Sequence, residues 1–138
     1  MTISLITGRT KKISIYSDFK KDLSISPLSN DIALFKDEDS VKESLKNLVL
    51  TDRGERLMQP NLGGNVRQML FENMTPAGLK LIEEQIRTTI ELHEPRAEVI
   101  DVIVNGSLDN NTVKVTIKYF ITNQEQPVEL DVFLERTR

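Results

Sequence analysis

The sequence has no cysteine, no tryptophan and a single histidine, His93. Without cysteine there is no disulfide, no thiolate nucleophile and no cysteine-ligated metal. One imidazole cannot build a multi-histidine metal site within one chain. Aromatic residues make up only 5%, so the core must be assembled from Leu, Ile and Val, and no platform for stacking nucleic acid bases is evident. Positive charge is not in excess either: 18 Lys and Arg against 21 Asp and Glu leave a net charge of −3. That balance argues against nucleic acid as a partner, because such binding rests on neutralising phosphates. Long apolar runs are also missing. Ile3, Leu5 and Ile6 are interrupted by Ser4 and followed by Arg9, Lys11 and Lys12, which is too short for a secretory core or a membrane span. The expectation is a protein made and retained in a cytoplasm, with no membrane partner, no cofactor and no small-molecule substrate.

What is present suits one compact domain. A chain of 138 residues with 38% hydrophobic and 28% charged residues has enough apolar surface for a single core and little room for a second. Three zones follow one another: an extended arm over 1–36, a helical part over 37–93 and a strand-rich part over 97–135. The arm has five basic residues up to Lys21 against one acid, Asp18. Residues 12–16 alternate as a short half-buried strand would, and Ser26-Pro27-Leu28-Ser29-Asn30-Asp31 is turn chemistry. The arm either lies on its own domain or reaches onto a neighbour.

Asp37, Glu38 and Asp39 suit the positive end of a helix dipole, and Val41, Leu45, Leu48 and Val49 then share one face. That helix is expected to stop around Thr51 to Gly54, with Gly54 supplying a left-handed cap. Val66, Met69, Leu70 and Phe71 suggest a short second helix. Thr75-Pro76 supplies an N-cap and a first-turn proline for the longest helix, whose stripe is Leu79, Ile82, Ile86 and Ile90. Pro95 ends it. From Glu98 the period becomes two: a strand over 99–104, a turn around Asn105-Gly106 and 109–111, then alternation through Val113–Ile121 and Val128–Leu134. The fold class is therefore α+β, an antiparallel three-stranded meander packed against two or three helices.

Catalytic constellations are thin. No phosphate-binding glycine loop is present, and His93 at a helix end is accounted for by the dipole. Glu43 and Asp52 have the separation of the Glu and Asp in phage lysozymes, but the expected Thr is replaced by Met58. Lys42 and Lys46 flank Glu43, which does not suggest the apolar pocket that raises an acid's pKa. No catalytic, cofactor or metal residue is assigned.

A stronger pattern runs through Asp31-Ile32, Val41, Ser44-Leu45-Lys46-Asn47-Leu48, Gly54-Glu55-Arg56, Pro60, Gly63, Leu70-Phe71-Glu72 and Glu94-Pro95-Arg96. Taken in order, these residues resemble the baseplate-wedge family of contractile-tailed phages, a family sometimes labelled lysozyme-like and related to the type VI secretion baseplate. The sequence departs from that family at Leu57-Met58 and Leu62, where proline or aromatic residues would be expected.

The resemblance implies a structural virion protein of the tail baseplate, assembled in the host bacterial cytoplasm. Its implied partners are other wedge proteins and the tail sheath subunit, whose assembly it initiates by offering a strand edge. It also makes Glu94, Pro95 and Arg96 interface candidates, although Glu94 and Arg96 could equally pair with each other. Glu129, Asp131 and Glu135 on the wet face of the last strand either welcome a charge-matched strand or merely solvate an edge. A peptidoglycan-cleaving, lysozyme-like glycosidase is the alternative, and a cytosolic adaptor unrelated to tails is a third reading.

Overall fold

A computed structural model describes residues 15–71, 75–107, 112–122 and 124–135. In chain order these form β1 (Ser17–Phe19), β2 (Leu34–Lys36), α1 (Glu38–Leu50), α2 (Val66–Met69), α3 (Pro76–His93), β3 (Ala97–Ser107), β4 (Thr112–Ile121) and β5 (Pro127–Glu135). The main sheet is an antiparallel meander in the order β3-β4-β5, and β1 and β2 form a separate antiparallel pair. The α+β expectation holds.

α1 and α3 lay their apolar stripes on one face of the meander. Val41, Leu45, Leu48 and Val49 from α1 meet Ile82, Ile86 and Ile90 from α3. The sheet contributes Val102 and Val104, the β4 row Val113, Val115, Ile117, Tyr119 and Ile121, and Val128, Val132 and Leu134. Complete burial of a side chain such as Ile86 or Ile90 contributes about 1.5–3 kcal/mol before entropy is counted. Leu79 is only partly buried. At the start of α3 the Thr75 hydroxyl accepts from the Gly78 N–H at 3.1 Å, and Pro76 occupies the first turn; both are local signals that act as the sequence predicts.

Three expectations need correction. The zone before α1 is more than an extended arm. Within it, Ser17 pairs with Lys36 and Phe19 with Leu34, an isolated bridge joins Ile25 to Ile32, and Asn30 N–H donates to Ser26 O at the turn. The result is a long hairpin with the predicted turn at its tip; of the strand expected over 12–16, residues 12–14 lie outside the described part. Second, Asn105 and Gly106 are not a turn. β3 runs on to Ser107, pairing Asn105 with Lys114 and Gly106 with Val113, because the ladder extends further than the dipeptide signal suggests; residues 109–111 lie outside the described part. Third, Gly54 does not cap α1. The helix closes at Thr51, whose N–H donates to Leu48 O and whose hydroxyl donates to Asn47 O. Gly54, at φ +88°, instead turns the chain within the following loop.

That loop, residues 51–65, is pinned at its base. Arg53 N–H donates to Asn65 Oδ1 at 2.7 Å and its Nε to Gly63 O at 3.1 Å. Gly63 has φ +105°, and a Cβ there would come within 2.2 Å of Thr51 O, so no other residue fits. Glu55 accepts from Asp52 N–H at 3.0 Å, bracing the loop internally. The tip carries Leu57 and Met58, both almost wholly exposed.

Candidate assembly interface

Two features position the predicted site residues: the corner between α3 and β3, and the outer edge of β5. At the corner, Glu94 N–H makes the last helical bond to Ile90 O, at 2.8 Å, before Pro95 stops the helix. Its side chain turns inward and is almost fully buried. Arg96 grips it with a two-pronged fork, Nε to Oε1 at 2.7 Å and Nη2 to Oε2 at 2.8 Å, and the Ser44 hydroxyl of α1 also donates to Oε2. Burial alone would push the Glu94 carboxyl up. The Arg96 fork, helped by Ser44, outweighs it and holds the group below its ordinary value. The same pairing raises Arg96. Glu94 is therefore held ionised at neutral pH and is a poor proton donor.

Arg96 does more than neutralise Glu94. Its guanidinium lies over the Tyr16 ring, 5.4 Å from the centroid, and its carbonyl accepts from Thr122 N–H and the Thr122 hydroxyl. Arg96 thus joins the hairpin root and the end of α3 through its side chain and the sheet through its carbonyl, and Glu94 adds α1 through Ser44. Asp37 completes the root: its carboxylate accepts from Ile15 N–H at 2.9 Å and Tyr16 N–H at 3.4 Å, while its own N–H donates to Tyr16 O. Ser44, Tyr16 and Asp37 were not legible as part of this site, since the contacts join residues far apart in sequence. Pro95 itself is exposed.

On β5, Glu129, Asp131 and Glu135 all face solvent beside Phe133. Asp131 accepts from Thr116 Oγ1 at 2.7 Å and pairs with Lys114 Nζ at 2.9 Å; these two bonds hold its carboxyl below the usual range. The register separates this edge from the corner. Ala97 pairs with Ile121 at one end of the sheet, whereas Glu135 pairs with Thr112 at the other, so the predicted residues form two surfaces, not one.

The two edges of the sheet differ. On β3, Val104 N–H donates to Glu83 Oε1 at 3.2 Å and Ile100 O accepts from Arg87 at 3.4 Å. Arg87 also approaches Asp101, and a register irregularity falls between Val99 and Asp101. Side chains of α3 and a bulge therefore blunt that edge. Among the described residues β4 is the one strand paired with β5, and no hydrogen bond from outside the sheet reaches the β5 main chain.

A polar cleft of about 250 Å³ lies beside the corner, lined by Asp18, Ser44, Arg56, His93 and Glu94 among others. Neither Glu43 nor Asp52 lines it. Among the described residues no cluster of three or more His, Asp or Glu could hold a metal ion, and no helix is long and apolar enough to cross a membrane.

Comparison with known proteins adds family information to this geometry. A family model described as baseplate wedge protein gp25 matches residues 36–126. The baseplate wedge protein gp25 of Enterobacteria phage T4 is 28% identical over 115 residues, 83% of this chain and 86% of that one. Among solved structures, a Geobacter sulfurreducens protein named as a tail lysozyme superposes with TM-score 0.71 at 24% identity, covering 78% of this chain and 97% of its own. A chain of the anti-feeding prophage baseplate gives TM-score 0.60 at 24% identity over 89% of this chain and 87% of that one. A chain of the postcontracted pyocin R2 baseplate gives 0.56 at 18%, over 71% of this chain and 96% of that one. At those identities the structural likenesses establish the fold.

Proposed function

The chain belongs to the baseplate wedge protein family, and from that premise we propose that it is a structural part of a contractile tail baseplate that docks on other wedge proteins and initiates the sheath by lending the free edge of β5 to a strand of the sheath subunit. The observation that carries this reading is the asymmetry of the sheet. The β3 edge is blunted by Glu83, Arg87 and a bulge, while among the described residues the nine-residue β5 pairs with β4 alone. An unpaired edge is a template for another chain's strand. Glu129, Asp131 and Glu135 favour a basic partner over a second acidic edge.

For wedge docking, Glu94 and Arg96 supply rigidity, and the exposed ring of Pro95 with the outer flank of Arg96 is what the corner offers a neighbour. The assembled location is the virion tail, reached from the host cytoplasm. Sheath polymerisation on baseplates carrying the Glu129→Lys, Glu135→Lys double variant tests the edge: the expected result is failed initiation with wedge assembly intact, and normal sheath growth would refute it. Co-purification of wedge proteins with a Pro95→Ala variant tests the corner, where undiminished recovery would count against docking there.

The likeness to the protein named as a tail lysozyme favours one second reading, a peptidoglycan glycosidase. Turnover of peptidoglycan by the purified chain, lost in Glu43→Gln, would establish it.

A further inference from the structure

A cavity of about 510 Å³ opens where β5 ends, lined by Leu50, Arg67, Leu70, Phe71, Phe133, Leu134 and Glu135. Three consecutive strand residues line it. Because side chains alternate between the two faces of a strand, Phe133 and Glu135 lie on the wet face and Leu134 on the core face. A hollow that touches all three lies at the end of the strand's edge or wraps around it. It adjoins the end of the edge assigned to the incoming strand, and Arg67 of α2 with Leu70 and Phe71 after it forms the opposite wall. Five of its seven lining residues are apolar, but charged side chains and main-chain groups supply more than half of its open surface; Phe133, with the Lys114 ammonium 5.8 Å from its ring centroid, is 66% exposed and Phe71 56%. Arg67 and Glu135 stand among them as single charges of opposite sign.

We propose that this hollow is the anchor pocket of the strand-addition site, and that the strand it receives carries basic residues along its wet face and one bulky apolar or aromatic side chain at the end that reaches α2. The inference rests on the edge reading above and adds what that edge selects for. Backbone pairing alone accepts any extended chain; a pocket at one end fixes the register, since a slip by one residue would turn the anchor away from it. Glu129 and Glu135 set the sign of the partner's charge, and the pocket sets where its apolar residue must fall.

The test uses the whole chain and three synthetic peptides of the length of β5, each alternating lysine with valine: one without an aromatic residue, one with an N-terminal phenylalanine and one with a C-terminal phenylalanine. Burying one such ring is expected to tighten binding by about tenfold or more, for one of the two phenylalanine peptides only, and the favoured end reports the strand direction. A Phe71→Ser, Phe133→Ser variant, altered at exposed positions, should bind the plain peptide as before and lose the preference. Equal affinity of the native chain for all three peptides would overturn the pocket while leaving the edge reading standing. Binding of none would overturn both. Concentration-dependent dimerisation abolished by the same double variant would assign the hollow to a second copy of the chain and overturn the proposal.

Discussion

Replacing Arg96 by alanine removes both prongs of the fork on Glu94 and leaves a carboxylate in a site from which most water is excluded. Breaking a buried ion pair on one side costs about 3–5 kcal/mol. The Arg96 side chain is 28% exposed, so solvent screens part of the interaction, and about 2–3 kcal/mol is the expected loss at neutral pH. In a domain of this size that corresponds to a fall in Tm of roughly 6–12 °C.

The pH dependence discriminates the cause. In the native chain the folded Glu94 carboxyl lies below its ordinary value, so its contribution is complete above an unfolded value of about 4.3 and is lost as pH falls through the folded one. In the variant, burial is opposed only by Ser44 and the main-chain N–H of residue 96, and the carboxyl rises. Protonation then relieves the orphaned charge, so the stability gap between native and variant narrows as pH falls from about 5 to 3. Urea unfolding followed at pH 7 and pH 4 measures this, and adding Glu94→Gln to Arg96→Ala should recover part of the loss at pH 7. A loss below about 0.5 kcal/mol, unchanged between the two pH values, would refute the charge-pair account of the corner.

Other perturbations have equally direct readouts. Gly63→Ala meets both a positive φ and the Thr51 carbonyl, and should cost roughly 2–3 kcal/mol in urea unfolding. Tyr119→Phe deletes a buried hydroxyl that has no hydrogen-bond partner among the described residues. Burial has pushed that phenol well above its ordinary value, and its removal should be neutral or stabilising by up to about 1 kcal/mol in thermal melts. Glu83→Ala releases the Val104 N–H; hydrogen exchange at Val104 should accelerate while the interior of β4 is unaffected.

The elements legible in the sequence are those whose signals are local or whose faces are buried. α3 is announced by Thr75-Pro76 and an isoleucine stripe, and β4 by the parity of Val113 through Ile121. The β1–β2 hairpin escaped because its strands have three residues each and expose Phe19 and Leu34, so no burial pattern marks them. Asn105-Gly106 misled because turn propensity competes poorly with a ladder that continues on both sides. In the site, the acids of β5 were readable from alternation alone. The inward turn of Glu94 and the capping of β3 by Glu83 and Arg87 were not, since each depends on residues that only the folded chain brings together.

The hairpin has one further consequence. It is bolted down at its root by Asp37, Tyr16 and Arg96, whereas beyond that root Leu23, Ile25 and Leu28 stand out from the body. A limb whose outer half carries exposed side chains can be lengthened, trimmed or recoded with little disturbance to the domain that carries it. Divergent tails could refit this segment to new neighbours while the helices and meander beneath it stay the same.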